Sequence, residues 1–219
     1  FDEPREPWML TLSPGTASSL LADVDKLIDN LLATFPAVFE HPAFQQKKSA
    51  IDRGFNQRYD RAIDSVERKA LEKHIAVYRD AQNIAFTPMK DGKALDEAEF
   101  AQLPEEERER FHVDIATLEE VLNEALSSLP QWKRESSNQL RELNEQTITD
   151  SIKPILEPLL ENYSGNEAVC NYLDLVRQNL IKTVVELLVD ERALEPRPEA
   201  YKKQLLTEQY CPSLIVGHA

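Results

Sequence analysis

Hydrophobic residues recur three or four positions apart over most of the chain, which is the spacing of one face of an α-helix. The first such segment is TASSLLADVDKLIDNLLATFPAVFE, which follows a Thr and Ser cap region. Its apolar face consists of Leu20, Leu21, Val24, Leu27, Ile28, Leu31 and Leu32. The pattern predicts an amphipathic helix that ends near Pro36.

A second, longer pattern begins at Pro42, a residue type that suits the first turn of a helix. Polar and charged residues surround a narrow apolar stripe made of Ile51, Phe55, Tyr59, Ala62, Val66 and Ala70. A stripe this narrow is typical of helices that pair in coiled coils.

The period changes to two in HIAVYRD and NIAFTPM, which are separated by a short polar connection at Ala81 and Gln82. Alternation of this kind predicts a β-hairpin, in which Pro88 marks an edge or an end. Because two strands alone are marginal in water, four apolar residues should pack against a helix. They are Ile75, Val77, Ile84 and Phe86.

The segment after the hairpin predicts a tight turn at KDGK and two helices. The first is short, with Asp96 and Glu99 at capping-box spacing, and the second begins at Pro104. The second carries a seam with heptad spacing at Phe111, Ile115, Leu118, Leu122, Ala125, Leu129 and Trp132. Pro130 should kink or split it, and after a stutter it resumes through Leu140, Leu143 and Thr147.

The C-terminal part predicts two bundle helices followed by a break. One contains Ile152, Ile155, Leu156, Leu159 and Leu160, with Pro154 in its first turn or at a kink. The other runs from Asn166 to about Val189, and Ser164 with Glu167 can cap it. DERALEPRPEA then indicates a linker and YKKQLLTEQY a short helix. Ser213 to Val216 indicates a buried strand with no partner downstream.

Together these patterns predict a mainly α fold: a long antiparallel coiled-coil arm with a small β-hairpin, plus a helical bundle. Residues 1–40 form an extended segment, anchored by Trp8, Met9, Leu10 and Leu12, and the first bundle helix. Residues 41–150 form the arm, with the hairpin near 75–90 at its tip, and 151–190 form further bundle helices. Residues 191–219 form the linker, the short helix and the first strand of a truncated following domain.

The charge balance disfavours several classes of partner. A formal net charge of −14 opposes approach to nucleic acid or to anionic membrane surfaces, because such binding depends on cationic side chains. The sequence contains neither a long apolar run nor the basic and apolar regions of a secretory signal, so no membrane segment is predicted. Cys170 and Cys211 are interpreted as unpaired thiols in a reducing cytoplasm.

No catalytic, cofactor-binding or metal-binding residue is assigned. The glycines are isolated and none precedes Lys-Ser or Lys-Thr, so a phosphate-binding loop is absent. Glu109 and His112 have the spacing of a metal-ligand pair, but no second such pair exists to complete a bundle site. The other histidines, His41, His74 and His218, form no cluster, and Ser213 lies outside any nucleophile motif.

One aromatic group is a candidate contact surface. Tyr78, Phe86 and Met89 in the hairpin, together with the two tryptophans, could contact a substrate or partner at the tip of the arm. The alternative is that they pack the hairpin onto its helices, because a lone hairpin is unstable.

Four segments carry a resemblance to a known family: FDEPREP, DGKALDEAEFAQLPEEERERF, AVCNYLDLVRQNLI and YCPSLIVGHA. Together they resemble the helical region of bacterial Lon-like ATP-dependent proteases. The resemblance implies a cytoplasmic serine protease that assembles as a ring, uses ATP and Mg and degrades polypeptides. Its Walker motifs and Ser-Lys dyad would lie after Ala219, so this chain would be an internal fragment without cofactors of its own.

Two alternatives belong to other classes. A stand-alone coiled-coil adaptor would pair its seam with a partner helix. An acidic mimic of nucleic acid would also fit the net charge, although no charge spacing favours it.

Overall fold

The computed structural model describes residues 9–13, 15–80, 83–190 and 199–213, and for 185–190 and 199 it describes the backbone only. The described chain is mainly helical with one small antiparallel sheet, which confirms the predicted fold class at this level. It divides into two compact units. Unit 1 comprises residues 1–49 and 139–219, and unit 2 comprises residues 50–138.

Among the described residues the elements follow the predicted order, with one additional strand and one helix fewer. The helices are α1 (Thr16–Glu40), α2 (Pro42–Glu72), α3 (Glu97–Ala101), α4 (Glu105–Ala125), α5 (Leu129–Asn162), α6 (Glu167–Asp190) and α7 (Glu199–Tyr210). The strands are β1 (Ile75–Arg79), β2 (Ile84–Lys90) and β3 (Lys93–Ala94), in the spatial order β1-β2-β3.

Two helices continue through prolines where the sequence predicted an end or a new helix. α1 does not end near Pro36 but runs on to Glu40. Likewise α5 is one helix of 34 residues that contains Pro154 and Pro158, so the separate helix predicted around Ile152 is wrong. Proline removes one backbone hydrogen bond, but burial of apolar side chains beside each proline compensates. Those side chains are Phe35, Ile152 and Leu156.

Other helix boundaries agree with the sequence more closely. Pro130 lies in the first turn of α5, and a turn over residues 126–128 separates α5 from α4, so the predicted split is confirmed. Asp96 and Glu99 form the predicted capping box: the Glu99 nitrogen lies 2.7 Å from Asp96 Oδ1, and the Asp96 nitrogen lies 3.0 Å from Glu99 Oε2. Ser164 does not cap α6. Asn166, the residue directly before the helix, accepts a hydrogen bond from the Val169 N–H at 3.2 Å instead.

The core of unit 1 is formed by α1, α5, α6 and α7. Its buried residues are Leu20, Val24, Leu27, Ile28, Leu31, Phe35, Ile148, Ile152, Leu156, Val169, Leu173, Val176, Leu180, Val184, Leu206 and Tyr210. Leu10 and Leu12 pack against it as predicted, whereas Met9 is 83% exposed and anchors nothing. Trp8, the linker over 191–198 and residues 214–216 of the predicted terminal strand lie outside the described residues.

The core of unit 2 joins the sheet to the helices on either side of it in the chain. It contains Ala70, Ile75, Leu103, Phe111 and Leu118, with Val77, Phe86, Leu95, Phe100 and Ile115 packed around them. This confirms that Ile75, Val77 and Phe86 pack against helices, whereas Ile84 is half-buried and lies outside this cluster. All residues of the two predicted stripes, on α2 and on α4 with α5, are buried or half-buried.

Candidate functional site

The three-stranded sheet of unit 2 is the candidate site, because it carries the predicted contact residues Tyr78, Phe86 and Met89. The chain leaves α2 through a turn in which His74 has a left-handed φ of 57°. β2 and β3 are joined at Asp91 and Gly92, whose φ values of 51° and 77° are those of a tight hairpin turn. The sequence missed β3 because two residues are too short to show alternation.

Two backbone hydrogen bonds fix which residues of β1 are bonded to β2. The Met89 N–H donates to the His74 carbonyl at 2.7 Å, and the Asp80 N–H donates to the Asn83 carbonyl at 3.0 Å. In an antiparallel pair the bonded positions alternate. The even-numbered residues between them, Ala76 and Tyr78, are therefore the ones bonded to β2.

The odd-numbered residues of β1 consequently direct their main-chain groups away from β2. Ile75, Val77 and Arg79 lie opposite Pro88, Phe86 and Ile84 in pairs that are not hydrogen-bonded. Their N–H and C=O groups point to the outer edge of the sheet. In the described part of the chain, β2 is the strand paired with β1.

The same alternation explains a proline in the central strand of this sheet. Pro88 lies opposite Ile75, at the end of the β1–β2 pairing, where no N–H is needed toward β1. Its carbonyl accepts a hydrogen bond from the Leu95 N–H at 2.8 Å on the other side. Pro88 thus lies at an end of the pairing but not on an edge strand.

The three predicted contact residues do not form one patch. Phe86 lies opposite Val77 on the face that packs against the unit 2 core. Tyr78 lies opposite Ala85 on the other face and is 55% exposed. Met89 shares that face but is four residues beyond Ala85, or about 13 Å at the usual rise per strand residue. That these three residues contact a substrate or partner stays a prediction. Tyr78 is the most accessible of them.

Charged contacts hold β1 and the turn before it in place. Arg79 Nη1 lies 3.2 Å from Asp60 Oδ1, and its guanidinium carbon lies 6.0 Å from the centre of the Tyr59 ring. Lys73 Nζ forms an ion pair with Asp114 Oδ1, whose side chain is only 18% exposed. Through these two contacts, the cationic side chains of Arg79 and Lys73 are held against helices of unit 2.

Two of the histidines considered as metal ligands, His112 and His41, contact neighbouring residues. The His112 ring packs edge-on against Phe100, with ring centres 5.5 Å apart, and Glu109 is exposed. His41 Nδ1 accepts a hydrogen bond from the Ala43 N–H at 3.2 Å at the start of α2. Across the described ranges, no three His, Cys, Asp or Glu side chains are grouped to hold a metal ion. His218 lies outside those ranges.

Both cysteines are free thiols, as predicted, and each lies in unit 1. Cys170 Sγ lies 3.3 Å from the Tyr163 carbonyl oxygen. Burial, with a smaller contribution from Asp25, raises the pKa of the Cys211 thiol. A raised pKa lowers the thiolate fraction at neutral pH, so Cys211 lacks the electropositive surroundings of a reactive cysteine.

Sequence reasoning missed a polar cluster that attaches α7 to α6. The Tyr210 hydroxyl lies 2.8 Å from Asn179 Oδ1 and 2.7 Å from Thr183 Oγ1, and Gln209 Nε2 donates to the same two atoms at 3.1 and 3.3 Å. The Tyr172 hydroxyl donates to the Tyr210 carbonyl, and burial raises the pKa of Tyr172. Spacing shows which helix face is apolar but not which polar groups will meet, so no signal in the sequence identified this cluster.

No family model matches the chain, and a search of curated proteins finds no significant match. Within the described residues, none of the helices combines the length and the apolar character needed to cross a bilayer.

Proposed function

We propose that this chain is the non-catalytic helical region of a Lon-like ATP-dependent serine protease. In this role it engages polypeptide substrates or regulates the ATPase and protease ring, while ATP, Mg and the catalytic dyad belong to other parts of the parent protein. The resemblance in FDEPREP, AVCNYLDLVRQNLI and YCPSLIVGHA supports the family. The cytoplasm is the proposed location, because the family acts there.

The observation that carries the proposal is the antiparallel order of contacts between two stretches of unit 2. Arg58 Nη1 donates to Glu135 Oε2 at 2.5 Å, and fifteen residues later Lys73 pairs with Asp114. From the first contact to the second, the residue number rises from 58 to 73 on one stretch and falls from 135 to 114 on the other. This is the order expected of helical stretches that fold back on each other. The hydrogen bond from Arg58, with a second from Gln131, lowers the pKa of the Glu135 carboxyl.

Burial along α2 supports such an arm and argues against an open adaptor. Ile63, Val66 and Ala70 are each 0% exposed within a single chain. A stand-alone coiled-coil adaptor needs an uncovered seam for its partner helix. With its most apolar turns already covered, α2 has little free seam to offer, so we propose an internally paired antiparallel coiled-coil arm with the sheet near its tip.

Two measurements on the purified chain test this function. We expect no ATPase or peptidase activity, and light scattering should give the mass of a monomer. Peptide hydrolysis that is lost on mutating one of the chain's own serines would contradict the non-catalytic role. A stable dimer at micromolar concentration would favour the adaptor instead.

The parent protein is tested by the reading frame around this segment. A Walker motif and a Ser-Lys peptidase encoded downstream would support the family. An open reading frame that lacks both would contradict the proposal. The ring, the ATP requirement and the polypeptide substrates that it assigns to the parent protein would then have no source.

A further inference from the structure

We propose that the outer edge of β1 binds a polypeptide segment in extended conformation, which adds a fourth strand to the sheet. The inference rests on the proposed engagement of polypeptides and names the surface that performs it. Pairing with a sheet edge uses main-chain groups, so it tolerates many sequences, which is what an unfolded substrate requires.

The accessible part of the edge is short. Ile75 is fully buried, whereas Val77 is half-buried and Arg79 is exposed. The N–H and C=O groups of these last two residues face away from β2 because only the even-numbered positions of β1 are bonded to it. An incoming strand can therefore form up to four hydrogen bonds, spaced for every second residue of the ligand.

β1 is short, but it lacks three other features that natural edge strands use against pairing. These are lysines, prolines and bulges. The β1 sequence IAVYR has a single charged residue, and its pairing with β2 is in continuous register without a bulge. That charge, on Arg79, is turned toward Asp60 and the Tyr59 ring on the packed side of the sheet.

The surface next to this edge indicates the chemistry of the ligand. Tyr78 is 55% exposed and lies between Ala76 and Ala85, whose small side chains leave its ring uncovered. Since neighbouring strands lie about 4.8 Å apart, an apolar side chain of an added strand would contact this ring. Lys73 and Arg79 near this edge are already paired with Asp114 and Asp60, so the surface beside β1 offers a ligand main-chain groups and the Tyr78 ring rather than free charge.

The test uses the complete 219-residue chain and a defined peptide. The probe is an acetylated and amidated peptide of alternating valine and threonine with a glutamate at each end. Its matched control carries N-methyl groups on every second residue, which removes the donors along one edge. We expect the first peptide to bind and the N-methylated one to bind at least about tenfold more weakly, because hydrogen bonds with the edge are lost.

Amide hydrogen exchange locates the bound peptide without any mutation. Binding should slow exchange at Val77 and Arg79 at least about tenfold, while the amides of Ala76 and Tyr78, already bonded to β2, change little. Protection elsewhere with no change at Val77 and Arg79 would overturn the inference, although engagement of polypeptides would stand. If neither the peptide nor an unfolded protein binds, the substrate-engaging role in the proposed function fails as well.

A pair of variants separates the main-chain donor from the side chain. Val77→Pro removes the outward N–H, at a position where an edge strand tolerates proline, and should weaken binding about tenfold. Val77→Ala keeps the N–H and should bind within about threefold of the native chain. Equal binding by Val77→Pro and the native chain would overturn the inference, and if Val77→Pro does not fold, hydrogen exchange on the native chain decides. Protection of the same amides by raised protein concentration alone would identify a second copy as the occupant and also overturn it.

Discussion

At the scale of single residues, one buried polar side chain in unit 1 lacks a partner. Asn144 on α5 is 4% exposed, and its Oδ1 atom has no hydrogen-bond partner among the described residues. Ile148, one helical turn later, is fully buried. A buried acceptor left unpaired costs about 1–3 kcal/mol.

Replacing this side chain should stabilise the protein. We expect Asn144→Leu to raise the free energy of unfolding by about 1 kcal/mol, because it removes the unpaired acceptor and adds apolar burial. Denaturant unfolding measures the change. Asn138→Leu on the same helix is the matched control, since Asn138 is exposed and should change stability by less than about 0.5 kcal/mol. Destabilisation by Asn144→Leu would show that the amide has a partner.

The Tyr163 hydroxyl should make stability depend on pH in alkaline solution. It donates to Asp23 Oδ2 at 2.9 Å, and burial followed by this hydrogen bond raises the pKa of Tyr163 to about 12 from a usual value of 10.0. A raised folded-state pKa contributes stability that is complete below the unfolded-state pKa and is lost as pH rises from there through the folded-state value. The affected window is therefore pH 10 to 12.

Tyr163→Phe isolates this contribution. At pH 7 we expect it to reduce the free energy of unfolding by about 0.5–1.5 kcal/mol, through the lost hydrogen bond. Above pH 10 the difference from the native chain should shrink, because only the native chain loses stability as Tyr163 ionises. Denaturant unfolding between pH 7 and 12 gives this difference, and a constant difference throughout would contradict the assignment.

At the scale of elements, the helices follow tertiary packing more than local propensity. α5 contains two prolines, and the hydroxyls of Thr147, Thr149 and Ser151 donate to carbonyls four residues earlier. Both features weaken or bend an isolated helix. The helix continues because Ile152 and Leu156 are buried on either side of Pro154, and that burial was not visible from spacing.

Replacing either of two glycines by alanine should change the free energy of unfolding, and the two changes should have opposite signs. Gly54 lies inside α2 with nothing near the place of a Cβ, so Gly54→Ala should raise the free energy of unfolding by about 0.5–1 kcal/mol. Gly92 lies in the β2–β3 turn at φ +77°, so Gly92→Ala should lower it by about 1–2 kcal/mol. Denaturant unfolding of both variants checks this, and a shift of the same sign in both would contradict the backbone argument.

At the scale of the whole chain, α7 joins helices that lie far apart in sequence. Leu206 and Tyr210 enter the unit 1 core, and Lys203 Nζ lies 2.5 Å from Asp29 Oδ1 on α1. That hydrogen bond raises the pKa of Lys203. The attachment depends on few apolar residues, so the polar cluster around Tyr210 should contribute a large share of it.

Removing the Tyr210 hydroxyl tests how much the polar cluster contributes to the attachment of α7. We expect Tyr210→Phe to reduce the free energy of unfolding by about 0.5–1.5 kcal/mol, because the hydrogen bonds of the Tyr210 hydroxyl with Asn179 and Thr183 are lost while those from Gln209 remain. Tyr78→Phe is the control, since an exposed hydroxyl should contribute less than about 0.5 kcal/mol. Similar unfolding curves for Tyr210→Phe and the native chain would show that α7 does not depend on this cluster.

The fold was more predictable than the candidate site. Helical spacing gave α2, α4 and α6 nearly at their observed bounds, and alternation gave β1 and β2, since side-chain direction follows directly from backbone period. The edge of β1 was not predictable, because the set of residues bonded to β2 depends on the pairing register. That register became visible only through contacts such as Met89 to His74.

By itself, the sequence determined the mainly helical class, the hairpin, the capping box at Asp96 and the apolar faces. These are local properties that follow from residue type and spacing. Only the tertiary structure decided that α1 and α5 continue through their prolines, that Asn144 Oδ1 is buried without a partner among the described residues, and that Tyr210 contacts Asn179 and Thr183. Each of these depends on the free energy of contacts between residues distant in sequence, which can outweigh a local preference of a few kcal/mol.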